Sequence, residues 1–179
     1  MKLFAKWFLI GVGVFLAIFI IGGYLIPAKW TVSRSMVIKA PVENIHAYVS
    51  NLKKWQEWTT WTPEKDPSLK YNYEGPESGV GAKSLWTSDK MGAGSITIKE
   101  SDPAKGINYD LFIDMGSMQS NLFGEIAYRP EAEGIEVTWT DRGDSEKNLM
   151  KRWMSLFMDS MLGKELTAGL EKLKALVEK

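Results

Sequence analysis

Few residues in this 179-residue chain are equipped for chemistry, and their spacing suits it poorly. The chain has one histidine, His46, and no cysteine. A lone histidine makes neither a nucleophile–base pair nor a metal cluster. The lack of cysteine removes thiolate nucleophiles, thiolate zinc sites and disulfides. His46 lies at the edge of an apolar helical stripe and reads as a surface residue. Asp110 and Asp114 alternate onto the strand face opposite Tyr109, which points them to solvent. Arg34 and Glu100 read as the only charges on otherwise apolar strand faces. They would pair inside the fold or mark the polar end of a ligand site. "GVGAKS" (79–84) has the wrong spacing for a phosphate loop, and a strand follows it rather than a helix. No catalytic, metal or cofactor motif is legible, and none is expected.

Residues suited to apolar recognition are abundant. There are eight tryptophans, three of them in "KKWQEWTTWTP" at positions 55, 58 and 61. Trp55 and Trp58 lie about 60° apart on a helix face, the geometry of a staple onto a core. Trp61 falls where the helical pattern has failed. Met150, Met154, Met158 and Met161 recur at helical spacing, a soft surface that packs or accepts varied apolar shapes. On the strands, Ile107, Tyr109, Leu111, Ile113 and Met115 share one face, as do Ile135, Val137 and Trp139. Twenty-two basic and 22 acidic side chains balance to zero net charge. That balance leaves no basic footprint for nucleic acid, and nothing points to a particular protein partner.

The elements that would carry these residues follow from periodicity. Residues 7–28, "WFLIGVGVFLAIFIIGGYLIPA", contain no charge and span roughly 33 Å as a helix, enough for a bilayer core. An uncleaved single-pass anchor is expected over residues 1–28; a cleaved signal sequence is the lesser alternative, because the exit offers only a poor cleavage site. Lys2, Lys6 and the terminal amine place the short tail in the cytoplasm and the rest of the chain on the extracytoplasmic side. Residues 29–179 then read as one domain. A strand covers 30–38, a helix opened by Pro41 carries Val42, Ile45, Val49 and Leu52, and a short tryptophan helix follows. Strands are expected near 69–75, 81–88, 93–101, 106–115, 120–129 and 134–142, with short turns that make them antiparallel neighbours. One helix over 146–178 closes the chain. Its apolar stripe moves at Gly163, which predicts a bend or a close backbone contact there.

This order is α+β: a curved antiparallel sheet of about seven strands around a long C-terminal helix, preceded by one transmembrane helix. With the phrases "RSMVIKAPVENIHAYVSNLKKWQEWTTW" (34–61), "YEGPESGVGAKSLW" (73–86), "GIEVTWTDRGD" (134–144) and "LFMDSMLGKELTAGLEKLKALVE" (156–178), it resembles the START/polyketide-cyclase-like superfamily of the helix-grip fold, in particular its polyketide cyclase/dehydrase and lipid-transport branch. The resemblance implies a cavity between sheet and C-terminal helix for a hydrophobic small molecule or lipid. The residues expected to line it are Trp58, Trp61, Trp86, Tyr109, Leu111, Trp139, Met154, Phe157 and Met158. Binding without catalysis is the favoured reading. A cyclase or hydratase using polar groups in the cavity, and an interaction module at the membrane, are the alternatives.

Overall fold

The computed structural model describes residues 2–179. Helix α1 (Lys2–Leu25) is followed by β1 (Lys29–Ile38), α2 (Val42–Val49) and α3 (Trp55–Trp58). Six strands come next: β2 (Lys70–Glu74), β3 (Lys83–Ser88), β4 (Gly92–Asp102), β5 (Gly106–Asp114), β6 (Gln119–Glu131) and β7 (Gly134–Asp144). The chain ends in α4 (Leu149–Ser155) and α5 (Met158–Val177). Each strand lies within two residues of its expected position, because turn residues and alternation are local signals.

All seven strands join one antiparallel sheet in the order β1-β7-β6-β5-β4-β3-β2. The two edges are consecutive in sequence. The chain leaves edge β1, crosses the concave face as α2 and α3, enters edge β2 and meanders back to β7. Helix α5 lies on the same face. It buries Leu166, Leu170, Leu173 and Val177 against Ile45, Val49, Trp58, Val137 and Trp139, the periodic stripe expected of an amphipathic helix. Gly169 lets α5 approach closely, since a Cβ there would lie 2.8 Å from the Trp139 ring.

Two expectations are corrected. The C-terminal segment is not one helix bent at Gly163. It breaks at Leu156–Phe157, where the Phe157 N–H turns back to the Met154 carbonyl at 3.0 Å. Asn148 caps the separate α4 by accepting from the Lys151 N–H at 3.0 Å. The methionine-rich stripe is therefore split, with Met150 and Met154 on α4 and Met158 and Met161 on α5 ahead of the leucine stripe, and Met150, Met161 and Phe157 are exposed. Nor does Arg34 meet Glu100. A bulge between Ile98 and Glu100 resets the alternation of β4 and sends Glu100 outward, where it accepts from Asn108 at 2.6 Å. One inserted residue is enough to flip a side chain to the other face.

Arg34 instead reaches from β1 to α5. It donates to both carboxylate oxygens of Asp159, at 2.9 and 3.1 Å. Its guanidinium passes directly over Gly163, whose missing Cβ leaves the room. The close-contact expectation at Gly163 is thus met. His46 is half-buried between α2 and the sheet, within 3.3 Å of the Tyr128 hydroxyl and 3.1 Å of Ser101 Oγ. It is a packing residue at the helix–sheet seam, which its place at the edge of a stripe did not reveal. Asp110 and Asp114 stay outside, beside Lys99 and Gln119.

Helix α1 is apolar and largely uncovered, and it is long and apolar enough to cross a membrane. Its final turns meet α4. Trp153 stacks on Phe19 with centroids 6.0 Å apart and donates its indole N–H to the Phe19 carbonyl at 3.0 Å. Arg152 donates to the Tyr24 and Ile26 carbonyls at 3.3 and 3.1 Å. The terminal amine of Met1 and the Lys2 side chain, on which the orientation argument partly rests, lie outside the described residues.

Gly163→Ala is predicted to lower the melting temperature of the full chain in detergent, because the new methyl displaces Arg34 from Asp159. In an Arg34→Ala background the same change should stabilise, by up to about 1 kcal/mol, through helix propensity alone. Equal effects in both backgrounds would show that the guanidinium does not hold this position.

Candidate functional site

The site is built on a row of three residues that cross β5, β6 and β7. Tyr109 pairs with Gly124, and Gly124 pairs with Asp141. All three lie on the concave face. Gly124 offers no side chain, and a Cβ there would overlap the Tyr109 ring. The phenol therefore lies across β6, and its hydroxyl donates to Asp141 Oδ1 at 2.6 Å. Trp139, two residues before Asp141 on the same face, donates its indole N–H to the Tyr109 oxygen at 2.8 Å. An indole N–H can only donate. The phenol must then donate onward, and Asp141 accepts.

Burial pushes the Asp141 carboxyl up to about 6, and the hydrogen bond from Tyr109 pulls the other way. Burial, then the charge of Asp141, holds the Tyr109 phenol well above its usual range. A carboxyl with this environment is tuned toward neutral pH. Asp141 was not among the expected site residues. Strand alternation singles out Arg34 and Glu100 as inward charges, yet Asp141 shares the parity of Val137 and Trp139. The signal that would have found it is that parity together with Gly124, a glycine in a strand interior, which marks a close approach.

Around this row lies an apolar cavity of about 150 Å³. Of the expected residues, Trp61, Trp86, Tyr109 and Leu111 line it, with Asp141. Its wall is fixed by Tyr71, whose hydroxyl donates to the Trp61 carbonyl at 2.9 Å. Trp58 and Trp139 stand behind the wall and belong to the core. Their rings lie 5.0 Å apart, and Trp55 packs 5.2 Å from Trp58 and 5.8 Å from Trp139. This cluster fills space that would otherwise enlarge the cavity, which is smaller than the several hundred Å³ usual for a ligand site.

An open apolar groove of about 680 Å³ adjoins the cavity and shares Trp61, Met91, Leu111, Ile113 and Asp141 with it. Met158 lines this groove. Met154 and Met158 also line a third hollow with Met115 and Met118, and that hollow shares Trp30, Ile113, Leu122 and Met158 with the groove. Phe157 lines none of the three and projects into solvent beside them. The helix break accounts for its position. No cluster of metal-ligating side chains occurs among the described residues.

A curved antiparallel sheet closed by a C-terminal helix over an apolar hollow is the helix-grip architecture. The family described as polyketide cyclase / dehydrase and lipid transport matches residues 29–178, and the chain belongs to that family. Helix α1 lies outside the match. No curated protein matches the sequence. Among solved structures, protein CV1439 from Chromobacterium violaceum is 17% identical with a TM-score of 0.60, covering 83% of this chain and 97% of its own. The di-domain ARO/CYC StfQ from the steffimycin biosynthetic pathway is 13% identical with a TM-score of 0.62, covering 84% of this chain and 51% of its own. The Aha1 dimer from Colwellia psychrerythraea is 16% identical with a TM-score of 0.54, covering 83% and 96%. These are likenesses of fold.

The raised Asp141 carboxyl predicts a pH dependence of stability. An unfolded aspartate titrates near 3.9, and Asp141 in the fold near 6. Between these values the folded chain holds a proton that the unfolded chain has lost. Stability therefore falls as pH rises through that window, by at most about 3 kcal/mol, and stays lower above it. Asp141→Asn keeps an acceptor for Tyr109 and removes the penalty. Denaturant titrations at pH 4.5 and 7.5 should show the variant's advantage over wild type growing severalfold between the two, since only about a third of the penalty acts at pH 4.5. A variant no more stable than wild type at pH 7.5 would show that the buried charge carries no such cost.

Proposed function

We propose that this protein is tethered to a membrane by α1 and binds a hydrophobic small molecule or lipid in its sheet–helix cavity without transforming it. The domain proposed for this work is residues 29–179, with residues 1–28 as the anchor. The carrying observation is the apolar cavity that adjoins an apolar groove along Trp61, Leu111 and Ile113. A ligand with its compact end in the cavity would lay an apolar tail along the groove. Each buried methylene contributes about 0.8 kcal/mol. Trp61, Trp86, Tyr109 and Leu111 are the proposed cavity contacts, with Met154 and Met158 under the tail.

The join between α1 and α4 supports supply from the bilayer. Trp153 grips α1 at Phe19, six residues before the helix end at Leu25, a distance of about 9 Å along the axis. If α1 spans, α4 sits at headgroup level. Exposed Met150, Leu156, Phe157 and Met161 on this side then meet lipid rather than water. The methionine-lined hollow lies beside that contact. Tethering also keeps the effective lipid concentration high, so a weak intrinsic affinity suffices. The short basic tail supports an extracytoplasmic side for the body.

One observation favours a second reading. Asp141 and Tyr109 are convergent polar groups in an apolar cavity, and a carboxyl tuned near 6 suits general acid–base work. Mass spectrometry of a bound molecule before and after incubation separates the readings: an altered mass favours an enzyme of the cyclase or hydratase type.

Purified in detergent and extracted, the full chain should release an apolar molecule, and added fluorescent lipids or quinones should quench tryptophan emission saturably. Leu111→Trp, which fills the cavity, should weaken binding at least tenfold, a loss of about 1.4 kcal/mol, with an unchanged circular dichroism spectrum. Failure of the wild type to hold or take up any apolar molecule would overturn the binding reading. The native chain has no cysteine, so Phe157→Cys carries a single environment-sensitive dye. In nanodiscs its emission should be blue-shifted relative to Glu133→Cys, which should in turn react with impermeant maleimide on intact cells. A water-like spectrum at Phe157 would remove the bilayer contact, and an unreactive Glu133→Cys would reverse the orientation.

A further inference from the structure

We infer that the occupant of the cavity is an apolar alcohol or phenol, held by a hydroxyl that donates to Asp141, and that an acyl carboxylate is refused there. This rests on the ligand-binding reading above and specifies its chemistry.

The argument is one of unfilled hydrogen-bond capacity. The relay Trp139 N–H to Tyr109 O–H to Asp141 Oδ1 runs in one direction and ends on the carboxylate. The indole has no lone pair to offer, so the relay cannot reverse. Asp141 Oδ1 is occupied by the phenol. Asp141 is 1% exposed, Oδ1 carries its one side-chain hydrogen bond among the described residues, and Asp141 lines both the cavity and the adjoining groove, so Oδ2 is left to face them. A carboxylate oxygen facing apolar space accepts and does not donate. The group that satisfies it must bring a proton of its own.

The rest of the cavity narrows the choice. No lysine or arginine lines it among the described residues; lysines line only the open groove. An anionic head would face Asp141 with no counter-charge in the cavity, and like charges at close range repel strongly in an apolar, low-dielectric setting. Two other polar groups on the wall already have partners. The Tyr71 hydroxyl donates to the Trp61 carbonyl, and the Gln56 amide donates to the Tyr73 hydroxyl at 2.5 Å. Thr59 and Ser84 are the other polar residues on the wall, and neither carries a charge; the rest is aromatic and aliphatic, with Trp55, Trp61, Trp86, Leu111 and Ile113. A cavity near 150 Å³ holds one aromatic ring. A single hydroxyl on an apolar frame matches this lining.

The test uses three probes of one shape: 4-ethylphenol, ethylbenzene and 4-ethylbenzoate. Each is titrated by calorimetry into the full chain in nanodiscs at pH 7.5, with empty nanodiscs as the blank. The phenol should bind about tenfold or more tighter than ethylbenzene, as expected for a hydrogen bond to a charged group, and the benzoate should not bind in the cavity. Asp141→Asn puts an uncharged amide donor where the acceptor oxygen was, so it should shrink the preference for the phenol and lift the exclusion of the benzoate. Equal wild-type affinities for the phenol and ethylbenzene, or a preference for the benzoate, would overturn the inference and leave the binding reading standing. Binding of none of the three, together with no copurified molecule, would overturn both. The wild-type ranking alone decides the matter should the variant fail to fold.

Discussion

Everything on the concave face is arranged around the Trp139 ring. It rises from β7, packs on Trp58 and Trp55 from α3, receives the edge of Trp61 at 6.2 Å, and is approached from above by Gly169 of α5. The sheet, the short helix and the long helix therefore share one contact. Large aromatic rings contribute more buried area than any other side chain, and losing one from a core typically costs about 3–5 kcal/mol. The same ring has a polar edge. Its N–H must find an acceptor, and the Tyr109 oxygen is where it finds one. The packing of the core thus sets the direction of the polar relay that ends at Asp141.

The sheet accommodates its aromatic load by pairing rings with glycines. Tyr109 lies over Gly124, Trp86 over Gly94 and Trp30 over Gly143, in each case a cross-strand partner without a side chain. A Cβ at any of these glycines would collide with the ring. Each ring can lie flat on its neighbour strand and reach the next one. That is how a tyrosine on β5 touches an aspartate on β7, and how the cavity keeps both an apolar wall and a single buried acid. The α1 end of the protein uses the same device. Gly22 and Gly23 admit Trp153 and Leu149 of α4 against α1, which fixes the apolar helix to the folded body at its last turns.

Much of the fold was legible because its signals are local. Alternation and turn residues located all seven strands, and the leucine stripe of α5 named its buried face. Trp55 and Trp58 were readable as a staple from their angular separation on one helix face. The errors have a common cause. Glu100 was misplaced by a bulge, the C-terminal helix by a break with no proline or glycine at it, and His46 by a helix edge that the sheet covers. Each depends on how one element lies on another, which periodicity within an element does not encode.

By itself, the sequence determined an apolar helix long enough for a membrane, an α+β order of seven strands and a closing helix, and an inward face rich in aromatic residues in a chain without cysteine. These follow from residue type and period, quantities carried by short stretches of chain. The tertiary structure alone decided which inward residues fill the core and which line a hollow. Trp58 and Trp139 became core, while Trp61, Trp86 and Leu111 came to line the cavity, although all five are apolar residues in similar patterns. It also decided that Tyr109 and Asp141, 32 positions apart in the chain, meet across Gly124. Register between three strands is a long-range property. A single acid among 22 acquires an unusual role only when that register buries it on the wall of an apolar hollow.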